Sequence, residues 1–199
     1  MAAPPIPIFR PSIPYAMPVR NLILTICITT PLLAVLCWYD CKYRRLPNAL
    51  TLGLMLLSLI WRLVIGGWHG FLDGLLGGLV CAAFILVPFL MRGAGGGDLK
   101  MIFGAGIATG LKLCFAELLF VSVTGVVLGL GMLIFRKVDG SRLKHYMRSV
   151  FDPRYDRKAG AENLPATEDE RGRVPFGVAI AVGTVLTLCF AIYVERQMT

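Results

Sequence analysis

Two aspartates lie at the borders of apolar segments, where a carboxylate can take part in chemistry. Asp40 follows the apolar run 21–39, and Asp98 precedes the run 99–111. An ionisable side chain near the bilayer interior is costly, so each carboxylate is a candidate functional group. Two carboxylates in a partly dry site can share one proton, so that one deprotonates a water while its partner donates a proton to the group being cleaved. The pair therefore predicts hydrolysis without a covalent intermediate.

The glycines before Asp98 fit such a site, because Gly95 and Gly97 would allow a tight turn and the close approach of an extended peptide. Both aspartates also have ordinary structural interpretations. Asp98 can be the N-cap of a helix, and Asp40 can be an interfacial anchor beside Arg44. A paired site additionally requires that both aspartates lie on one face of the membrane.

The elements that would carry these residues are apolar helices. The chain has 199 residues, of which 56% are hydrophobic and 16% charged, and its mean hydropathy is +0.71. Soluble proteins carry about 25% charged residues, and about 20 apolar residues cross a bilayer core of about 30 Å. The composition therefore predicts an all-α polytopic membrane protein with six transmembrane helices. The six apolar runs are 21–39, 49–66, 71–91, 99–111, 113–135 and 174–194, the fourth being the shortest.

The distribution of basic residues predicts the orientation. Helices alternate sides, so the segments 40–48, 92–98 and 136–173 share one face, and they hold most of the lysines and arginines. Basic residues mark the cytoplasmic face, so both termini are expected outside. Asp40 and Asp98 then share the cytoplasmic face, where the active site is expected.

This topology divides the chain into three parts. Residues 1–19 are a proline-rich extracytoplasmic segment, residues 20–194 are the six-helix membrane domain, and residues 195–199 are a short tail. The charged segment 136–173 is interpreted as a cytoplasmic loop between the last two helices.

The net charge of +8 does not indicate nucleic-acid binding. The basic residues fall in short segments between helices without interleaved aromatic residues, which is typical of topological signals and of contacts with anionic lipid headgroups. The six cysteines lie mostly inside apolar runs and form no C-x-x-C pair, so neither a zinc site nor a disulfide framework is indicated. We therefore expect no metal, no other cofactor and no nucleic-acid partner.

Three segments resemble motifs of the type IV prepilin peptidases. The segment Asp40-x-x-x-Arg44-Arg45-Leu46-Pro47-Asn48 resembles the first catalytic-aspartate motif, and Gly95-x-Gly97-Asp98-Leu99-Lys100 resembles the second, G-x-G-D-x-K. Val174-Pro175-Phe176-Gly177 is similar to the family's C-terminal Pro-Phe/Tyr-Gly element. The three occur in the family's order, across roughly residues 21–194.

The resemblance implies a multi-pass aspartic endopeptidase of the bacterial cytoplasmic (inner) membrane. Its substrates would be prepilins or pseudopilins, from which it removes a short basic leader at the cytoplasmic face, and membrane lipid would surround it. Asp40 and Asp98 carry over as the catalytic pair. The residues expected to bind substrate or support the site are Gly95, Gly97, Lys100, Arg44, Pro47 and Asn48.

The chain departs from the large bifunctional members of that family. It has neither their two cysteine pairs nor a glycine-rich nucleotide-binding signature, and only the short segment 40–48 joins its first two apolar runs. It therefore resembles the minimal form that serves tight-adherence (Flp) pili, and no N-methyltransferase activity is expected.

Other function classes share some of these features. A non-enzymatic transporter, or a subunit for pilus or secretion assembly, could also carry paired intramembrane acids and a helix break. A presenilin-type protease would require a Pro-Ala-Leu motif, which the sequence does not contain. No feature of the sequence fixes an oligomeric state or says which aspartate is the base.

Several residues inside the apolar runs have structural interpretations instead. Asp73 is expected at the outer face, where a helix start favours an acid. Glu117 is expected to pair with Lys112 or to face the bundle interior, and Arg62 could reach outward to the interface. Six glycines are interpreted as close helix-packing positions: 74, 77, 78, 125, 129 and 131.

Overall fold

Every regular element that the structure describes is an α-helix. The computed structural model describes residues 17–43, 46–90, 95–134 and 176–198. Its five helices are α1 (Val19–Tyr43), α2 (Asn48–Leu90), α3 (Gly96–Thr109), α4 (Cys114–Ile134) and α5 (Phe176–Met198). This confirms the predicted all-α class for the described residues. Most of the proline-rich segment 1–19 and the whole loop 136–173 lie outside them.

Four of the helices are long and apolar enough to cross a membrane. They are Val19–Tyr43, Asn48–Leu86, Cys114–Met132 and Phe176–Gln197. With 14 residues, α3 is shorter than these and reaches only about 20 Å at 1.5 Å per residue. The number of six spans and the orientation of the termini therefore stay predictions.

The longest element, α2, consists of two helical arms, and the chain reverses direction between them at Gly67. This residue has φ 56° and ψ −147°, a backbone conformation that is almost exclusive to glycine. Arg62 Nη2 lies 3.1 Å from Asp73 Oδ2, and a Cβ added to Gly70 would lie 2.6 Å from the Arg62 carbonyl oxygen. In a straight helix the same pairs would be separated by about 16 Å and about 12 Å along the axis. The chain therefore turns back, and α2 is a hairpin.

The two arms of this hairpin match two apolar runs of the sequence. We call residues 48–66 arm α2a and residues 68–90 arm α2b. The predicted spans 49–66 and 71–91 correspond to these arms.

Small residues let α3 pack closely against α2b. A Cβ added to Gly77 would lie 2.7 Å from the Gly106 carbonyl oxygen, and one added to Gly78 would lie 2.8 Å from the Phe103 carbonyl oxygen. Backbones approach this closely only where side chains are absent or small. The packing role predicted for Gly77 and Gly78 is thereby confirmed, and Gly74 makes a similar approach to Ile107.

Of the three glycines of α4 with a predicted packing role, Gly125 contacts another described helix. An added Cβ on Gly125 would be 3.5 Å from Phe176 Cε2, an ordinary contact with α5. Gly129 and Gly131 have no such neighbour within 4 Å among the described residues, so their packing role stays a prediction.

Side-chain hydrogen bonds fix the directions of the helices. Trp61, near the end of α2a, donates from Nε1 to Thr25 Oγ1 near the start of α1 over 2.8 Å. Lys100 at the start of α3 donates to Asn48 at the start of α2a, so α3 runs parallel to α2a and antiparallel to α1. The C-terminal end of α1 and the N-terminal ends of α2 and α3 therefore meet at one end of the bundle. We call this the aspartate end, because it carries Asp40 and Asp98.

A shared core holds α1, α3 and α5 together below the aspartate end. Leu36 of α1, Met101 and Ile102 of α3, and Ile180 of α5 are completely buried in one cluster. Close packing of such residues fixes the relative positions of the helices that carry them. The core thereby fixes the helix ends on which the candidate site is built.

Candidate active site

Asp40 is a buried carboxylate held by the start of another helix. Its side chain is 6% exposed, and its Oδ2 accepts a hydrogen bond from the backbone N–H of Gly177 over 2.8 Å. Gly177 is the second residue of α5, and the N–H groups of a first helical turn have no acceptor within the helix. The positive end of the helix dipole also favours a negative group there. Asp40 therefore accepts a backbone N–H at the start of α5 that would otherwise have no acceptor within the helix.

Asp98 is anchored at the start of its own helix. Gly95 is the N-cap of α3 with an extended backbone, and its N–H donates to Asp98 Oδ2 over 3.0 Å. This is the reach-back from the third helical position that is typical of capping boxes. The interpretation of Asp98 as the N-cap is thus wrong, because the N-cap is Gly95, three residues earlier. Asp98 takes part in capping from the third helical position. The carboxylate is half-buried.

The two aspartates interact electrostatically. Burial raises the pKa of Asp98 from 3.8 to about 6, the Gly95 N–H opposes this rise, and the negative charge of Asp40 adds to it. A carboxylate near a like charge holds its proton more tightly. The charge of Asp40 is therefore close enough to favour the protonated form of Asp98, although burial is the larger cause.

The segment that follows α1 packs directly on the start of α3. Lys100 Nζ donates to Asn48 Oδ1 over 2.9 Å, and a Cβ added to Gly97 would lie 2.8 Å from Leu46 Cβ. The Pro47 carbonyl accepts the first backbone bonds of α2, from the N–H groups of residues 50 and 51. The first two sequence motifs are thus in contact through backbone and side chains.

The positions predicted to support the site are brought to the aspartate end with one exception. Arg44 lies outside the described residues. Lys100 contacts Asn48, so its described partner is an amide oxygen rather than a carboxylate. Gly97 belongs to the first turn of α3, where its missing side chain makes room for Leu46. Gly97 therefore lies in a helical turn and not in the tight turn that the sequence predicted, and its role in binding substrate stays a prediction.

A comparison with protein families matches residues 27–130 to the type IV leader peptidase family. This range is more than half of the chain and contains Asp40 and Asp98 with both of their motifs. The chain belongs to the type IV leader peptidase family. No curated protein and no solved structure matches it significantly. The family is one of peptidases, and the span-capable helices agree with a multi-pass membrane protein.

Sequence reasoning missed one group at the site of this leader peptidase, the backbone N–H of Gly177. The Pro-Phe-Gly element indicated only a family resemblance, and it lies outside the matched range. The available signal was a glycine one residue inside the start of a helix, where a backbone donor is unpaired and no Cβ blocks an approaching side chain.

Two other side chains of charged residue types are buried among the described residues, Glu117 and Arg62. Glu117 is completely buried and accepts a hydrogen bond from Thr184 Oγ1 over 2.7 Å, so it faces the bundle interior, which was one of its two expected positions. Arg62 does not reach outward. It is 4% exposed, pairs with Asp73 and donates from Nε to the Ile107 carbonyl over 2.9 Å. This pair lies beside the Gly67 reversal, at the opposite end of the bundle from Asp40.

Proposed function

We propose that this leader peptidase hydrolyses the bond between the short basic leader and the hydrophobic N-terminus of a type IV prepilin or pseudopilin. Asp40 and Asp98 are the proposed catalytic pair. The observation that carries the proposal is the position of both carboxylates at one end of the bundle, each accepting a hydrogen bond from a backbone N–H. The charge of Asp40 also contributes to the raised pKa of Asp98.

The proposed reaction adds one water across one peptide bond. The ionised carboxylate takes a proton from the water, and the oxygen attacks the carbonyl carbon of the scissile bond. The protonated carboxyl supplies the proton that the leaving amine needs when the C–N bond breaks. The raised pKa of Asp98 supports Asp98 as the partner that holds the proton, and the bond from Gly177 supports Asp40 as the ionised one.

The position of the pair suits a substrate that remains in the bilayer. Asp40 is close to the end of a span-capable helix, and Asp98 lies in the first turn of α3. A scissile bond between a polar leader and an apolar helix would lie at the same depth. The excess of basic residues predicted for this face supports cleavage on the cytoplasmic side of the inner membrane.

We further propose a peptidase-only enzyme of the type that serves Flp pili. Between the last residue of α1, Tyr43, and the first of α2, Asn48, the chain has no room for an inserted cytoplasmic domain. The six cysteines form no C-x-x-C pair, which supports the proposal that N-methylation is absent.

The test is co-expression with prepilins from the same genome, followed by mass measurement of their N-termini. Wild type is expected to release the leader without adding a methyl group. Asp40→Asn and Asp98→Asn should each abolish release, and the double variant should be no worse, because the pair acts as a unit. Glu195→Gln, near the far end of α5, is the matched carboxylate control. Release that survives either aspartate change in a normally inserted protein would assign that aspartate a structural role.

A further inference from the structure

Gly177 contacts two residues of α1, one through its backbone N–H and one through its backbone carbonyl. Its N–H donates to Asp40 Oδ2 over 2.8 Å, and its carbonyl oxygen lies 3.9 Å from the Cys37 sulfur, within reach of a weak thiol hydrogen bond. Cys37 and Asp40 are three residues apart and so lie on one face of the helix. The first turn of α5 is therefore seated on the last turns of α1.

The contact leaves no space for a side chain at position 177. An added Cβ would lie 2.8 Å from Asp40 Oδ2, 3.1 Å from its Cγ and 3.3 Å from its Cβ. All three atoms belong to a short side chain on a buried helix face, so the carboxylate would have to rotate away. A glycine is thus required for Asp40 to stay where it is.

The first turn of α5 is itself held by the core. Phe176 packs against the buried cluster that joins α1, α3 and α5, and Ala179 is completely buried. On the other side, Gly125 of α4 lies against both residues. A donor on such a support keeps its position during a reaction, as preorganised catalytic groups must.

We propose that Gly177 is a positioning residue, whose backbone N–H orients the Asp40 carboxylate and whose missing side chain permits the contact. The inference rests on the proposed catalytic role of Asp40. It goes beyond that role because it assigns a function to the start of α5, which lies outside the matched family range. The donor is a backbone N–H, which does not ionise, so its ability to donate a hydrogen bond does not change with pH.

The hydrogen bond can be tested without changing Gly177. The chain has 22 glycines but only two Phe-Gly pairs, Phe103-Gly104 and Phe176-Gly177. Carbonyl-¹³C phenylalanine combined with ¹⁵N glycine therefore selects two amide signals in detergent-solubilised protein, and Phe103→Leu identifies one of them.

Asp40→Asn should move the Gly177 amide proton upfield, because a neutral acceptor makes a longer and weaker hydrogen bond than a carboxylate. The Gly104 signal, in the interior of α3, should stay in place. A Gly177 signal that does not respond to Asp40→Asn would overturn the proposal. This measurement needs no activity, so it remains valid if Asp40 proves not to be catalytic.

The functional consequence is tested with Gly177→Ala against Gly125→Ala. The added Cβ at Gly125 makes only ordinary contacts of 3.5 Å and 3.8 Å with α5, so processing should be normal. Gly177→Ala should lower kcat about a hundredfold with little change in KM, because displacing a reacting group by about 1 Å has this effect. Normal kcat for Gly177→Ala, with Asp40→Asn inactive, would overturn the positioning role alone. Activity in Asp40→Asn would instead overturn the proposed function. If Gly177→Ala does not insert, the amide signal decides.

Discussion

Lys100 on α3 and Asn48 on α2 join the two aspartate motifs through a 2.9 Å hydrogen bond from Nζ to Oδ1. Asn48 is the first residue of α2, directly after the short segment that joins it to α1, and Lys100 follows Asp98 by two residues. The bond therefore lies beside the candidate site. A lysine two residues after Asp98 would be expected to pair with a carboxylate. Its contact with an amide instead suggests that Lys100 fixes the geometry of the chain between the motifs.

The first prediction follows from this bond. Lys100→Met and Asn48→Ala should each slow leader release severalfold, because each frees the start of α2 from the start of α3. The double variant should be no slower than the worse single variant, since both remove the same interaction. Initial rates of processing for the four proteins measure this coupling. Losses that multiply in the double variant would mean that the two residues act separately, for example with Lys100 contacting the substrate.

The second prediction concerns pH. The pKa of Asp98 is raised to about 6, and the proposed mechanism needs one proton on the pair. As pH rises through about 6 that proton is lost from the free enzyme, so kcat/KM should fall on the alkaline side of this value. A pH series of initial rates in detergent or liposomes gives the apparent pKa, which belongs to the coupled pair.

A stability measurement provides the control for this pH effect. The folded protein binds the Asp98 proton more tightly than the unfolded chain does. The stability that this proton contributes is therefore complete below about pH 3.8 and is lost as pH rises through about 6. The melting temperature of wild type should therefore fall over this range relative to that of Asp98→Asn. Parallel curves for the two proteins would contradict a raised pKa at Asp98.

The third prediction separates two neighbouring glycines. An added Cβ at Gly97 would lie 2.8 Å from Leu46 Cβ, whereas one at Gly96 would lie 3.8 Å from Phe89 Cε2. Gly97→Ala should therefore displace the 46–48 segment and slow processing, and Gly97→Val should slow it further. Gly96→Ala should process normally. Equal rates for all four proteins would show that the contact between Leu46 and Gly97 is not needed for activity.

Sequence patterns predicted the helical class and the two aspartates because both depend on local information. Apolar runs report burial or lipid contact, and an acid at the border of such a run stands out chemically. The same patterns located both arms of α2, since the residues near Gly67 interrupt the apolar run with Trp68 and His69. The family match covers these parts of the chain as well.

Contacts between distant segments could not be predicted in this way. The bond from Gly177 to Asp40 joins residues on different helices, and no local sequence pattern indicates which helices pack together. Arg62 shows the same limit, because its charge suggested an outward position while its burial depends on Asp73 and on the Ile107 carbonyl. Gly97 was predicted to form a tight turn because glycine runs suggest turns, although α3 already begins at Gly96.

The last prediction uses the Arg62–Asp73 pair as a test of topology. Arg62 is buried and Asp73 is partly exposed, so Asp73→Ala leaves a buried guanidinium without its carboxylate. This should reduce the stability of the hairpin by about 2 kcal/mol, less than the loss for a fully buried pair, and Arg62→Met in the same protein should restore part of it. Thermal unfolding in detergent measures both effects. The pair lies at the opposite end of the bundle from Asp40, so the Asp73→Ala protein that remains folded should release leader at the normal rate per molecule. Loss of processing without loss of stability would instead mean that Asp73 belongs to the active site, and the assignment of the aspartate end would be wrong.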